Sequence, residues 1–335
     1  MYARNLSVRN QVKKSVREAG RLRFFLPKGS RTMNAPYEVL LYYKYVKLDD
    51  PKAYAAEHQK LCVDLGLRGR ILIAAEGING TVSGTVENCR KYREVLDADP
   101  LTEEIAWKID REAGHVFPKL SIKVREEVVS LDLGEEDFHP SDLTATHLKP
   151  AEWREAMAED NVVILDARND YEWEIGRFEG AILPDVPSFR DLPKWVRDHR
   201  KELEGKKILT YCTGGIRCEK FSGFLLNEGF EDVYQLDGGI VTYGKDDEVK
   251  GEGYEGECYV FDERLSVPVN RTEGAKIVSS CRHCGMPSIR YRNCAWMPCN
   301  AQFLLCEDCE NTIGRYCTKV CKEVDLMRHA AVTGI

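Results

Sequence analysis

The stretch ILTYCTGGIRCEKFSGFLLNEGF, residues 208–230, decides how the middle of this chain folds. A short apolar run ends at Tyr211, Cys212 follows at once on a glycine-rich segment, and an amphipathic pattern begins near Cys218. The pattern predicts a buried parallel strand, a tight loop and a helix. Ligands of open parallel sheets bind beyond the carboxyl ends of the strands, so this loop is a candidate site.

Cys212 is predicted to be reactive because its loop favours a thiolate. The backbone N–H groups of a glycine loop and the N-terminus of the following helix both stabilise negative charge, which lowers the pKa of a cysteine. Arg217 is expected to add a positive charge or to brace the loop. Cys218 is expected either to resolve an oxidised or persulfidated Cys212 or to pack at the helix start. The intervening residues are Thr213, Gly214, Gly215 and Ile216.

The length of the loop separates two classes of cysteine enzyme. Four residues separate Cys212 from Arg217, whereas cysteine-based phosphatases have five and need room for a phosphate. The smaller loop suits a terminal sulfur, or a similarly small species, on the cysteine. This arrangement resembles that of rhodanese domains, and so do the segments 165–184 and 236–243 within residues 142–245. The resemblance alone implies a sulfurtransferase that holds a persulfide on Cys212. The residues of the early rhodanese signature are Asp166, Arg168 and Glu172.

The chain is long for a single core, and its composition predicts a multidomain protein that combines α/β and α+β parts. Residues 35–133 have the order β-α-β-β-α-β and predict a ferredoxin-like α+β module. Residues 140–245 alternate strand and helix and predict a rhodanese-like α/β domain with a parallel sheet. Residues 246–257 are acidic and glycine-rich and are interpreted as a linker. Residues 258–335 form a cysteine-rich module.

The N-terminal residues 1–34 stand apart in charge. Residues 1–32 have a net charge of +8, which leaves −15 on the rest because the whole chain has −7. Such a segment is typical of an RNA-binding arm, an Arg-rich transit peptide or a disordered leader. Because Met33 stands just before the first strand pattern, we interpret the segment as a leader, produced by a start site assigned too far upstream.

Eight of the thirteen cysteines lie within residues 281–321, as repeated short pairs. This spacing is typical of tetrahedral thiolate sites, and the chain lacks the apolar signal of a disulfide-rich secreted protein. Two structural zinc ions are predicted, and an iron–sulfur cluster or a metal-free reduced module are the alternatives. The ligands are grouped either sequentially or in an interleaved manner. The predicted ligands are Cys281, Cys284, Cys294, Cys299, Cys306, Cys309, Cys317 and Cys321.

Together the three blocks resemble the bacterial tRNA uridine hydroxylase family. The resemblance rests on YEVLLYYKYV, GRILIAAEGINGTVSG, CTGGIRCEK and YVFDERLSVPV, and it runs from about residue 37 to residue 321. It implies hydroxylation of C5 of the wobble uridine of tRNA in the cytoplasm, with molecular oxygen as co-substrate. By this resemblance Cys212 is the essential cysteine and Arg217 is its loop partner. Family members usually begin close to the position of Met33.

RNA binding depends on positively charged side chains at the contact surface, whereas the chain after residue 32 has a net negative charge. Two basic runs, 108–125 and 190–207, are candidate RNA contacts, and a solvated surface is the alternative for each. An aromatic platform is expected near the loop because a wobble base must leave its stack, and Trp173 and Tyr243 are the candidates. The cations of the first run are Lys108, Arg111, Lys119, Lys123 and Arg125.

The sequence has no recognisable site for a redox cofactor. It contains neither a GxGxxG nucleotide fingerprint nor a clear set of two histidines and a carboxylate. Because the loop favours a thiolate, our hypothesis is that Cys212 adds to C6 of uracil and so makes C5 electron-rich. The rival enzyme is the sulfurtransferase, and a third possibility is a non-catalytic module that binds RNA or protein through its tail. No apolar run is long enough to span a membrane.

Overall fold

The structure is a computed structural model that describes residues 35–333. The leader predicted at residues 1–34 lies outside the described residues. Within the described part, no helix combines the length and apolar character needed to cross a bilayer. From Pro36 onward the chain forms one unit, so the contacts between its successive modules can be described directly.

The N-terminal module is a five-stranded sheet covered on one face by two helices. Its elements are β1 (Tyr37–Tyr45), α1 (Pro51–Asp64), β2 (Arg68–Ala74), β3 (Gly77–Thr85), α2 (Val86–Asp97), β4 (Lys108–Glu112) and β5 (Leu120–Val124). The strand order is β4-β1-β3-β2-β5, in which β5 runs parallel to β2 and the other pairs are antiparallel. The first four strands confirm the predicted ferredoxin-like arrangement, and β5 extends one edge.

The alternation of side chains along β1 defines the two faces of this sheet. Leu40 and Tyr42 are fully buried in the core beneath the helices. Leu41 and Tyr43 must therefore point to the opposite, helix-free face, because neighbouring residues of a strand point to opposite sides. This second face is covered by the next domain.

The central domain has a parallel sheet with helices around it. Its elements are β6 (Thr146–Leu148), α3 (Pro150–Met157), β7 (Val162–Asp166), α4 (Asp170–Trp173), β8 (Gly176–Phe178), α5 (Leu192–Asp198), α6 (Arg200–Leu203), β9 (Lys207–Tyr211), α7 (Ile216–Asn227), β10 (Val233–Leu236) and α8 (Gly239–Lys245). Four strands lie in the order β6-β10-β9-β7, and all are parallel. The predicted strand, loop and helix around Cys212 are β9, the loop 212–215 and α7.

The C-terminal part begins earlier than its composition indicated. Its elements are β11 (Tyr254–Tyr259), β12 (Ser266–Pro268), β13 (Tyr291–Asn293), β14 (Gln302–Leu304), α9 (Glu307–Ile313) and α10 (Lys319–Thr333). Residues 246–257, interpreted from the sequence as a linker, differ from that expectation because β11 starts at Tyr254 and pairs with β8. The stretch is ordered since Val249 and Tyr254 are buried in the core of the central domain. Its glycines serve turns rather than a flexible spacer.

Lys220, on α7, joins the N-terminal module to the central domain. Its side chain has no exposed surface, and its Nζ lies 3.0 Å from Glu76, 2.6 Å from Glu127 and 3.0 Å from Asp137. Glu76 lies between β2 and β3, so the ammonium group connects the N-terminal sheet to the helix that follows the Cys212 loop. A buried ammonium needs such partners because desolvation of an unpaired charge is costly.

Replacement of Lys220 by methionine is expected to destabilise the protein by about 2–4 kcal/mol, because three carboxylates would lose their shared cation in a partly buried setting. Urea unfolding followed by tryptophan fluorescence measures the change. Lys194, which forms an exposed pair with Asp198 on α5, provides the control, and Lys194→Met should leave the midpoint unchanged. Equal midpoints for Lys220→Met and the parent protein would refute the bridging role.

Candidate active site

The Cys212 loop is shaped by glycine at two places of close approach. Gly215 has φ 100°, which favours glycine, and its N–H donates to the Cys212 sulfur at 3.2 Å. Gly239 lies against the loop backbone, where a Cβ atom would come within 2.6 Å of the Cys212 carbonyl oxygen. The start of α8 can therefore donate from Ile240 to that carbonyl, at 3.0 Å. This contact explains why the segment 236–243, which resembles rhodanese domains, has glycine at position 239.

Arg217 braces the loop through Glu172. Its guanidinium donates to both oxygens of the Glu172 carboxylate, at 2.5 and 2.8 Å, and both side chains are buried. Burial opposes ionisation of each group, but the pair holds the pKa of Glu172 below its ordinary value and that of Arg217 above it. Thr213 lies 3.4 Å from each partner. The bidentate geometry fixes the orientation of the arginine as well as its charge.

A second buried ion pair supports the strand that precedes the loop. Arg168 donates to both oxygens of Asp166, at 2.9 and 2.7 Å, and to the carbonyl of Gly176 at 2.7 Å. The Tyr211 hydroxyl donates to Asp166 at 2.5 Å. Asp166 ends β7 and Tyr211 ends β9, so this pair joins two strand ends directly before Cys212. The three residues of the early signature thus support the site and lie beneath the thiol.

The surroundings of Cys212 favour its thiolate. Complete burial alone would raise the pKa of Cys212, but a hydrogen bond from the Cys218 thiol, the charge of Arg217 and the N–H groups of Cys218 and Gly215 lower it to about 6. Burial and the neighbouring Cys212 raise the pKa of Cys218 well above its ordinary value. The two thiols therefore differ near neutral pH, where the lowered pKa of Cys212 favours its thiolate and the raised pKa of Cys218 favours its protonated form.

Cys212 lies against a cavity of about 410 Å³ between the helix-free face of the N-terminal sheet and the loop 212–215. This size is within the range of small-molecule sites. Its aromatic walls are Tyr43, Phe117, Phe189 and Phe261, and its aliphatic walls include Leu41 and Leu72. Its polar lining residues are Arg70, Asn79, Thr81, Arg125, Glu127, Ser130, Asn169, Thr213 and Arg217.

Three family models match the chain in succession. They are the UPF0176 acylphosphatase like domain over residues 37–128, the rhodanese-like domain over residues 149–246 and the rhodanase C-terminal model over residues 255–322. A tRNA uridine(34) hydroxylase of Bacillus licheniformis is 55% identical over 290 residues, which cover 87% of this chain and 89% of that protein. The protein of the same name from Shouchella clausii is 54% identical over 87% of this chain and 90% of its own length.

This chain belongs to the tRNA uridine(34) hydroxylase family. The identity extends across all three modules, so it includes the cavity between the first two and the cysteine-rich third. The resemblance noted from the sequence is thereby confirmed.

The aromatic residues that line the cavity are not the two that the sequence indicated as a platform for the base. Trp173 donates from its indole to the Pro184 carbonyl at 3.1 Å, and Tyr243 is buried in the core with its hydroxyl bonded to Glu252. Neither lines the cavity, where Tyr43 and the three phenylalanines lie instead. The alternation of buried residues along β1 could have placed Tyr43 on the helix-free face of the sheet. The sequence could not have shown that the central domain covers this face.

The cysteine-rich module of this tRNA uridine(34) hydroxylase family member forms two four-thiol clusters. The grouping is the interleaved one: Cys281, Cys284, Cys306 and Cys309 in one cluster, and Cys294, Cys299, Cys317 and Cys321 in the other. Within each, all ligand atoms lie within 4.8 Å of one another. Tetrahedral zinc with Zn–S bonds of about 2.3 Å requires sulfurs roughly 3.8 Å apart. Three of the sulfur pairs, at 3.5 and 3.6 Å, lie near that spacing.

Replacement of Cys218 by alanine is expected to raise the pKa of Cys212 above about 6, because the thiolate loses its hydrogen-bond donor. The reactive thiolate would then appear at higher pH. The rate of iodoacetamide alkylation against pH, read by mass spectrometry of the peptide that contains Cys212, measures the shift. Cys89→Ala, in the N-terminal core, is the control and should leave the profile unchanged. An unshifted profile for Cys218→Ala would show that Cys218 only packs at the helix start.

Proposed function

We propose that this protein hydroxylates C5 of uridine 34 in tRNA and that Cys212 is its nucleophile. The observation that supports the proposal best is a buried cysteine with a lowered pKa at an aromatic-walled cavity large enough for an extruded base. The names of the 54–55% identical relatives supply the substrate and the reaction. The partner is therefore tRNA, and the proposed location is the cytoplasm, where tRNA is modified.

The proposed chemistry begins with addition of the Cys212 thiolate to C6 of uracil. The sulfur lone pair forms the C–S bond, and the electrons of the C5=C6 double bond move to C5, which becomes nucleophilic towards oxygen. After C5 is oxygenated, loss of the C5 proton and departure of the thiolate restore the double bond. The net change is C5–H + O₂ + 2e⁻ + 2H⁺ → C5–OH + H₂O, so the reaction also needs a two-electron reductant.

The loop residues have separate proposed roles in this scheme. Arg217, held by Glu172, supplies positive charge near the sulfur, which favours both the free thiolate and its departure from the base. The Cys218 thiol and the Gly215 N–H stabilise the same charge by hydrogen bonds. The aromatic walls exclude water and provide surfaces on which the base can stack.

The rhodanese loop also supports a second candidate, a sulfurtransferase with a Cys212 persulfide. The donors around the sulfur would stabilise a persulfide anion as well as a thiolate. The two candidates differ in product, since one adds oxygen to uridine 34 and the other adds sulfur to an acceptor. Mass spectrometry of tRNA nucleosides therefore distinguishes them.

Replacement of Cys212 by serine is expected to lower hydroxylation at least a hundredfold, because a serine hydroxyl stays protonated near neutral pH. The assay digests tRNA after aerobic incubation and measures 5-hydroxyuridine by mass spectrometry, with Cys89→Ala as the control. A tRNA with 5-fluorouridine at position 34 should form a stable adduct with Cys212, because fluorine replaces the proton that must leave C5. Full activity of Cys212→Ser would refute the mechanism, and a thiolated nucleoside would favour the sulfurtransferase.

We also propose that each four-thiol cluster holds one zinc ion as a structural site. Four sulfur ligands with no open position suit a structural rather than a catalytic ion. The core of this module consists largely of these cysteines with Phe303 and Leu305, so metal binding would supply much of its folding free energy.

Replacement of Cys309 by alanine is expected to lower the zinc content from two ions per chain to one and to lower the thermal unfolding temperature, because one ligand set would be incomplete. Elemental analysis of the purified protein measures the content. Cys62→Ala, which removes a buried thiol outside the clusters, should keep two ions. A metal-free parent protein, or one that contains iron, would contradict this assignment.

A further inference from the structure

A row of basic residues follows the edge of the N-terminal sheet. Arg68 and Arg70 lie two residues apart on β2, so their side chains share a face. In the parallel pairing of β2 with β5, Arg70 lies opposite Ser121 and Leu72 lies opposite Lys123. Residues that are opposite in register share a face, which places Lys123 on the same side as the two arginines.

This face is the one that leads to Cys212. Arg70, Leu72 and Arg125 all line the cavity against which Cys212 lies. Ile71 and Ile73, between them in sequence, point the other way into the core of the module. Lys119 stands directly before β5. The row therefore runs along the sheet edge to the opening of the candidate active site, with successive members on one strand about 7 Å apart.

The cations of this row are exposed and have no acidic partner among the described residues. Two other cations of the same module differ from the row, since Arg93 and Arg111 both pair with the buried Glu38, at 3.6 and 3.0 Å. Glu127 lines the cavity too, but it is engaged by Lys220 at 2.6 Å. Arg125 shares a surface pocket with Glu126, Glu127 and Asp132, and the other members of the row keep their positive charge in a chain that is acidic overall. Its members are Arg68, Arg70, Lys119, Lys123 and Arg125.

Two residues of the basic run 108–125, which the sequence indicated as candidate RNA contacts, are engaged by other side chains in the structure. Lys108 is buried, and its ammonium lies over the Tyr43 ring at 4.9 Å. Arg111 is held by Glu38. Lys108 is thus withdrawn from solvent, whereas Arg111 stays exposed but shares its charge with Glu38. Arg68 and Arg70, which lie in a different part of the sequence, take their place because β2 is the neighbour of β5.

We propose that this basic row binds the phosphates of the anticodon strand while uridine 34 occupies the Cys212 cavity. The inference rests on the proposed function, since it takes tRNA as the substrate. Phosphate contacts fix the register and orientation of a nucleic acid, and here they would direct one extruded base to the thiolate. A row of positive charges on a rigid sheet edge suits the single-stranded anticodon loop as it passes the opening of the cavity. The base-paired stem of the tRNA would contact other surfaces.

The test is a double variant, Arg68→Gln with Lys123→Gln, which removes two charges of the row away from the cavity lining. Its affinity for an unmodified tRNA transcript with uridine 34 is measured by fluorescence anisotropy over a range of salt concentrations. The dissociation constant should rise roughly tenfold, and the slope of log affinity against log salt should fall by about 1.5, as expected for two lost phosphate contacts.

The matched control is Lys52→Gln with Lys60→Gln, two exposed lysines on α1, which covers the opposite face of the same sheet. It should bind the transcript with the parent affinity and slope. Unchanged binding by the row variant, or an equal loss of affinity in the control, would overturn the role of the basic row. The proposed function would stand in that case as long as the parent protein hydroxylates the transcript. A parent protein that neither binds nor hydroxylates the transcript would overturn the proposed function itself.

Discussion

A negative charge on a fully buried sulfur is the constraint on which the rest of this structure depends. Such a charge is stable only if nearby donors replace the lost water. The Gly215 N–H donates to the sulfur, and Cys218 and the charge of Arg217 stabilise the thiolate further. The N–H groups of Arg217 themselves bond the buried Glu172, which fixes the position of that charge. Glu172 lies on the short helix α4, and the Tyr291 hydroxyl of the cysteine-rich module donates to the Tyr171 carbonyl of that helix at 2.6 Å. The state of one thiol therefore depends on contacts that reach the far module.

The cavity at this sulfur is lined by residues of all three modules, because Phe261 belongs to the C-terminal part. The central domain supplies the thiolate and one aromatic wall, and the helix-free face of the N-terminal sheet supplies the opposite wall. A ferredoxin-like sheet usually has one face free, and here that face closes the active site. Lys220 holds the two parts in register from the same helix that begins at the catalytic loop. The cavity and the thiol with the lowered pKa therefore come together only when these modules pack correctly.

Local chemistry was predictable from the sequence, and contacts between modules were not. The loop around Cys212, the strand before it and the order of the N-terminal elements each depend on a short run of residues, and the fold class is confirmed. The prediction that Trp173 and Tyr243 form the aromatic platform was wrong, because side chains near a loop in sequence are often packed into the core or bonded elsewhere. The linker expectation failed because composition cannot reveal that Tyr254 fills the core behind β8. The grouping of the cysteines depends on how β13, β14 and α9 fold back, which spacing alone leaves open.

The interleaved grouping of the cysteines has a consequence for synthesis of the chain. The ribosome makes Cys281, Cys284, Cys294 and Cys299 before any of their later partners, yet these four belong to two different clusters. Early in synthesis they form a complete but non-native set of thiols with the spacing of a metal site. An ion captured by that set would have to be exchanged when Cys306 and Cys309 emerge. If the clusters hold the proposed zinc ions, correct assembly therefore requires that metal capture be reversible.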